Sequence, residues 1–147
     1  MGSIPEGFHS VTPFIVVKRG GDALVHYEQA LGAEIVSRLD IPSTGMVAHA
    51  CMKIGNSMLF LCDENEQMRA PIDGNGSRFF LYVNDVDTAH QTALAAGMAE
   101  LSAPEDMFWG DRTAVVKCPF GNTWTFAQHI RDVSPEEIGD AVKQITG

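Results

Sequence analysis

The side chains with chemical potential are few, and the most suggestive pair is His49 and Cys51. They stand two residues apart in a segment that reads as a β-strand, so both side chains point to the same face. That spacing suits two soft metal ligands, which Cys118 or His9 would join. It suits equally a half-buried strand in which the thiol and a hydrogen-bonded imidazole only pack. His49 is also a candidate general base, since imidazole titrates near neutral pH.

Composition and charge exclude several classes of function. The 147 residues include 19 acidic and 10 basic side chains, a formal charge of −9, which disfavours a nucleic-acid partner. No apolar run approaches the roughly 18 residues that cross a bilayer, so no membrane association is expected. The three cysteines show no CxxC spacing, which is typical of free thiols in a reducing compartment and predicts a cytoplasmic protein.

An internal repeat predicts how the chain is organised. Residues 14–17 (FIVV) recur 66 positions later as residues 80–83 (FLYV), and the Gly-Asn pair at 55–56 recurs at the same offset at 121–122. Each copy reads as strand, helix and three strands, with helices beginning at Asp22 and at Asp85 or Asp87. The pattern predicts an α+β fold built from two pseudo-repeated βαβββ modules.

We predict one domain over residues 1–147. The modules span 8–62 and 78–130, joined by a linker at 63–77 that is long enough to cover a site. Within residues 131–147, Ser134 followed by Pro135 and two acidic residues predicts the start of a C-terminal helix. This helix is expected to cover either the sheet or a partner subunit.

Motifs in the second half resemble one known family. Residues 108–112 (FWGDR) and 118–124 (CPFGNTW) resemble the FWGDR…DPFGxxW pattern of the PhnB-like branch of the vicinal oxygen chelate superfamily, which includes glyoxalase I, bleomycin-binding proteins and extradiol dioxygenases. Residues 5–9 (PEGFH) and 129–137 (HIRDVSPEE) also resemble this branch. The resemblance implies that the two modules form a curved, open mixed sheet, the glyoxalase/bleomycin-resistance fold. Cys51 and Cys118 stand where the branch commonly has an acidic residue, which puts any role of those carboxylates in doubt here.

The resemblance also implies where a metal would bind. Metal-dependent members of the superfamily take one ligand from the first and one from the last strand of each module. These positions fall on Thr12 and Thr125, and the repeat offset assigns Arg78 and Leu59 as their counterparts. Divalent metals prefer His and carboxylate donors, and this set has neither. We therefore expect no metal and no other cofactor.

Strand alternation then predicts the lining of a pocket on the concave side. The side chains expected to face it are mostly aromatic or polar, which is typical of a small-molecule site; they include Thr12, Phe14, Leu59, Leu61, Arg78, Phe80, Tyr82 and Thr125. The opposite face, with Phe60 and Trp124, is expected to lie under the helices.

Arg78 has two interpretations that the sequence leaves open. It is either a clamp for a ligand carboxylate or phosphate, or half of an internal salt bridge with a linker acid. Trp109 either walls the pocket or contributes to a dimer contact, while Asp111 and Arg112 are expected to pair or to hold their turn.

The leading hypothesis is a metal-free pocket that binds a small organic molecule, with Arg78 favouring an anion. The alternative is a lyase, isomerase or dioxygenase that uses relocated metal ligands or His49 and Tyr82 as an acid–base pair. A homodimer is expected in either case, because each open sheet leaves edges that a second copy would cover.

Overall fold

The computed structural model describes residues 2–72 and 76–146. The first half contains β1 (Phe14–Val17), α1 (Gly20–Leu31), β2 (Glu34–Asp40), β3 (Val47–Ile54) and β4 (Ser57–Asp63). The second half contains β5 (Arg78–Tyr82), α2 (Val86–Ala95), β6 (Ala99–Asp106), β7 (Asp111–Lys117) and β8 (Thr123–His129), followed by α3 (Pro135–Thr146). Gly74 of the predicted linker and Gly147 lie outside the described residues.

The strands form two open, four-stranded mixed sheets with the same topology. Their orders are β1-β4-β3-β2 and β5-β8-β7-β6. In each sheet the first strand pairs in parallel with the last strand, and the remaining pairs are antiparallel. The α+β prediction with a repeated βαβββ order is therefore confirmed.

One face of each sheet is covered and carries the core. Ile15 and Leu61 of the first sheet and Trp124 and Phe126 of the second are buried together with Tyr27 of α1. Helices α1 and α2 also pack against each other. The opposite face of each sheet, called the open face below, has no helix over it among the described residues.

Helix α1 begins through a contact from a distant strand. Asp63 at the end of β4 accepts hydrogen bonds from the backbone N–H groups of Gly20 (2.8 Å) and Val47 (2.7 Å). The prediction that Asp22 caps this helix is wrong: the cap position is Arg19, and Asp22 lies in the first turn. A buried carboxylate outside the helix therefore accepts from its first turn and at the same time ties β3 to α1.

Helix α2 begins in an equivalent way. The side-chain oxygen of Gln128 in β8 accepts from the Val86 N–H (3.1 Å), and Asp85 accepts from the Thr88 N–H (3.1 Å), as one of the two predicted caps. Each module thus fastens the start of its helix to the end of its last strand.

The register of the last strands corrects one predicted face. Phe14 pairs with Phe60 in the first sheet, while Phe80 pairs with Thr125 in the second. Phe60 is therefore the counterpart of Thr125 and lies on the open face. Leu59 and Leu61 lie in the core instead, with 4% and 0% of their surfaces exposed.

Turn length explains this one-residue slip. Ile54 and Ser57 pair across a two-residue turn, whereas Lys117 and Thr123 pair across residues 118–122. Matching the two turns by their Gly-Asn pairs therefore misplaces the following strand by one residue. A slip of one residue moves a side chain to the other face of the sheet.

The C-terminal helix begins where predicted. Ser134 Oγ accepts from the Glu137 N–H (3.1 Å), which is a side-chain cap. Helix α3 has no buried residue, and no strand or helix in the described part of the chain packs against it. It therefore does not cover the sheet of its own chain. Among the described helices, none combines the length and apolar composition that crossing a membrane requires.

Candidate functional site

The open face of the first sheet carries an aromatic cluster around His49. The His49 ring lies 4.7 Å from the Phe60 ring and 5.9 Å from the Phe14 ring, measured between centroids. Phe8 packs on Phe60 from the N-terminal segment, at 5.7 Å. Phe14 is 44% exposed, so the cluster presents an apolar surface to solvent.

The open face of the second sheet carries Arg78, Phe80 and Tyr82 in alternating positions of β5. Phe80 and Tyr82 are 52% and 62% exposed, and their rings are 5.4 Å apart. Thr125 of β8 lies beside Phe80. Arg78 is exposed and makes no ion pair within residues 2–72 and 76–146, so the internal salt bridge finds no partner there.

A cavity of about 250 Å³ lies between the two halves of the chain. It brings together three of the predicted ligand-binding residues, Thr12, Leu59 and Phe80. His9 and Met58 also line it. Leu59 thus reaches the cavity although most of its side chain is in the core.

Tyr82 and Trp109 converge on a buried carboxylate. Asp111, whose side chain is 3% exposed, accepts hydrogen bonds from Tyr82 Oη and Trp109 Nε1 at 3.0 Å each through Oδ2. Its Oδ1 lies 3.0 Å from His129 Nδ1, because Asp111 and His129 face each other across β7 and β8. The other ring nitrogen of His129 lies 2.7 Å from Asp132.

This network supports one of the two expected roles of Asp111, which holds its turn by accepting from Trp109 Nε1. Asp111 does not pair with Arg112, which instead binds Asp87 (3.0 Å) and Asp106 (2.9 Å). Sequence analysis missed His129 as a partner because the two residues meet only once the β7–β8 register is known. Trp109 is placed by its hydrogen bond to Asp111.

The network sets the protonation of its members. Burial acts to raise the pKa of Asp111, but hydrogen bonds from His129, Tyr82 and Trp109 outweigh it and lower this pKa overall. The hydrogen bond to Asp111 raises the pKa of Tyr82. Asp132 and Asp111 raise the pKa of His129, since both of its ring nitrogens face carboxylates.

The residues at the superfamily's metal positions do not fit a divalent cation. With the corrected register these are Thr12, Phe60, Arg78 and Thr125, which offer two hydroxyls, an aromatic ring and a fixed positive charge. Within residues 2–72 and 76–146, no group of three or more His, Cys, Asp or Glu side chains could hold a metal ion.

The predicted soft ligands are also separated. Cys51 Sγ contacts Met58 Sδ at 3.9 Å on the open face of the first sheet. Cys118 is buried in the core, where its Sγ lies 3.4 Å from Tyr27 Oη. It therefore cannot join His49 and Cys51 around one ion.

Fold and site together define a protein of two βαβββ modules with open, partly aromatic sheet faces. The model of the Glyoxalase/Bleomycin resistance protein/Dioxygenase superfamily matches residues 7–126. The chain belongs to this superfamily, as the sequence motifs predicted. The uncharacterized protein Mb0911c of Mycobacterium bovis is 34% identical over 140 residues, which cover 90% of this chain and 91% of that protein.

Solved structures share the fold at lower identity. TioX from Micromonospora sp. ML1 matches with a TM-score of 0.68 and 20% identity, over 83% of this chain and 99% of that one. A gene product of Arabidopsis thaliana matches with a TM-score of 0.65 and 25% identity, over 82% and 98%. A protein from Bacillus cereus described as PhnB has a TM-score of 0.62 and 14% identity, over 82% and 99%.

Proposed function

We propose that this protein binds a small organic molecule with an aromatic or apolar body and an anionic group on the open faces of its sheets. The observation that carries the proposal is the exposure of Phe80 and Tyr82 on the same face of β5 as Arg78. Phe14 is exposed on the open face of the other sheet. Large aromatic side chains exposed together on a sheet face are characteristic of a binding surface. A guanidinium next to them that forms no ion pair within residues 2–72 and 76–146 favours a carboxylate or phosphate.

Tyr82 would act in this site as a hydrogen-bond acceptor. Its O–H proton is donated to Asp111, so the phenol oxygen presents its lone pairs to the open face. Asp111 is in turn held by Trp109 and His129. The hydroxyl is thereby fixed in place before a ligand arrives, which reduces the entropy cost of binding.

The alternative of an acid–base enzyme has less support. His49 and Tyr82 lie on different sheets, and no hydrogen bond within the described residues connects them. The raised pKa of Tyr82 also keeps its hydroxyl protonated near neutral pH and makes it a weaker proton donor. The catalytic roles of both residues stay predictions.

We further propose that a second copy completes the site and that the protein works in the cytoplasm. The exposed aromatic faces would be buried by a second copy, which would wall the ligand on its other side. Free, buried Cys51, Cys62 and Cys118 suit a reducing compartment.

Matched ligands test the anion clamp. Arg78→Gln should weaken the binding of benzoate and leave that of benzamide nearly unchanged, as measured by isothermal titration calorimetry. Removing one partly solvated charged contact should cost about three- to tenfold in affinity. Arg131→Gln, which removes an exposed arginine outside the site, is the control. An equal loss of affinity for both ligands would show that Arg78 does not distinguish a charged ligand from a neutral one.

Light scattering of the purified protein tests the shared site. Wild-type protein should run as a dimer, and Phe80→Glu should shift it toward monomer because a charge would be buried against the second copy. A wild-type monomer that still binds benzoate through Arg78 would contradict the shared site and leave the clamp intact.

A further inference from the structure

A second cavity shares no lining residue with the 250 Å³ cavity. Its volume is about 490 Å³. Lys18 and Arg19 line it from the β1–α1 turn, Lys117 and Phe120 from the end of β7 and the β7–β8 turn, and Pro71 from the segment after β4. The two halves of the chain therefore both contribute to it.

Every charged residue lining this cavity in the described part of the chain is basic. This is unexpected in a chain with 19 acidic and 10 basic side chains. Within the described residues, the one ion-pair partner of Arg19 is Asp22, at 3.7 Å on the surface. Lys18 and Lys117 form no ion pair within residues 2–72 and 76–146. Clustered like charges repel each other, so this arrangement is stabilised when an anion enters.

An aromatic ring stands beside the charges. The guanidinium carbon of Arg19 lies 5.3 Å from the centre of the Phe120 ring. Phe120 is half-buried and packs on His26 and Tyr27 of α1, with centroids 5.7 Å and 6.3 Å away. The cavity therefore offers a fixed apolar wall next to its cationic part.

The turn that carries this wall is held in place by Asn122. Its backbone oxygen accepts from the Cys118 N–H (2.9 Å), and its side chain accepts from the Ser77 N–H (3.0 Å) and donates to Tyr27 Oη (3.3 Å). Asn122 is 1% exposed, so these bonds are shielded from water. The turn is thus ordered before any ligand binds, which favours affinity.

We propose that this cavity binds a small phosphorylated organic molecule, with its phosphate between Lys18, Arg19 and Lys117 and its apolar part against Phe120. A phosphate monoester carries about −1.5 to −2 charges near neutral pH, whereas a carboxylate carries one. Three cations around one space are better balanced by the phosphate. This proposal does not depend on the function proposed for the open faces.

The test uses phenyl phosphate and benzoate, which share a ring and differ in charge. In the Arg78→Gln variant, which lacks the open-face clamp, the protein should bind phenyl phosphate at least about tenfold more tightly than benzoate, measured by isothermal titration calorimetry at constant ionic strength. Lys18→Gln and Lys117→Gln should each weaken phenyl phosphate binding about three- to tenfold. Lys143→Gln, on the exposed helix α3, is the matched control and should have no effect.

Separate results would overturn the proposal. These are the absence of phenyl phosphate binding, an affinity for benzoate equal to that for phenyl phosphate in Arg78→Gln, or a loss of phenyl phosphate affinity in Lys143→Gln equal to that in the two lysine variants of the cavity. If phenyl phosphate affinity fell in Arg78→Gln but in neither Lys18→Gln nor Lys117→Gln, the anion would bind on the open face. In that case the open-face proposal would stand and this one would fail. Phe120→Leu should weaken binding of phenyl phosphate more than that of inorganic phosphate, and equal effects would remove the apolar wall from the proposal.

Discussion

Asp111→Asn should destabilise the protein substantially, because Asp111 is a buried acceptor for three donors. In Asn, one oxygen can still accept from Tyr82 and Trp109, but the NH₂ group then opposes the His129 N–H. One hydrogen bond to a charged group is lost, at a cost of about 1.5–3 kcal/mol, and the other two become weaker neutral bonds. Loss of the buried charge recovers part of its desolvation cost. We expect a net decrease of about 2–3 kcal/mol in the free energy of unfolding.

Urea unfolding and thermal melting would measure this change. For a chain of this size, about 2–3 kcal/mol corresponds to a decrease in Tm of roughly 4–12 °C. The control is Asp132→Asn, which removes the fully exposed carboxylate on the other side of His129. That variant should lose far less unfolding free energy than Asp111→Asn, because an exposed ion pair contributes little to stability.

The pH dependence gives a stricter test. The pKa of Asp111 is lowered in the folded protein, so its contribution is present above its ordinary pKa of 3.8 and is lost as the pH falls through the lower folded value. The difference between wild-type and Asp111→Asn protein should therefore shrink below about pH 4. A difference that stays constant down to about pH 3, or an equal loss in Asp132→Asn, would refute the reasoning.

Three further outcomes are expected. Gly110 has φ +100°, and an added Cβ there would meet the Arg131 carbonyl oxygen. Gly110→Ala should therefore lower the free energy of unfolding in urea by about 2 kcal/mol or more, and an unchanged midpoint would contradict this. The raised pKa of His129 means that its stabilisation is present below about pH 6.5 and lost as the pH rises through the folded value; an NMR titration midpoint at or below 6.5 would disprove it. Asn122→Ala leaves the Ser77 N–H and the Tyr27 hydroxyl without that partner, so it should lower the free energy of unfolding by about 2–4 kcal/mol. Thermal melting would measure this change, and a decrease below about 1 kcal/mol would count against the prediction.

Short-range patterns were enough to predict most helices and strands. Gly32, a residue type typical of the position after a helix, directly follows α1 and has the left-handed conformation with φ +66°. Ser134 and Pro135 were expected to begin α3, and they do. Each signal involves residues within one helical turn of each other, so it acts in the same way in any tertiary context.

The start of α1 shows where such signals fail. Asp22 matched the local preference for a cap, but Asp63, 43 residues away from Gly20, accepts from that N–H instead. A contact at that separation exists only after β4 has joined the sheet. Local propensity cannot report it.

The sequence likewise predicted one part of the pocket lining correctly and another part wrongly. The alternation of β5 correctly grouped Arg78, Phe80 and Tyr82 on the open face of the second sheet. It failed for Leu59 because the two β-turns differ in length and shift the register by one residue. The roles of these four residues in ligand binding stay predictions.

The sequence by itself determined the superfamily, the repeated βαβββ order and the acidic charge, since these depend on composition, periodicity and motifs. Only the tertiary structure decided which side chains meet: the carboxylate of Asp111 with Tyr82 and His129, and the cations Lys18 and Lys117 around one cavity. The physical reason is that strand register and the packing of two modules bring together residues far apart in the chain, and pairing across such separations depends on turn length and burial rather than on local sequence.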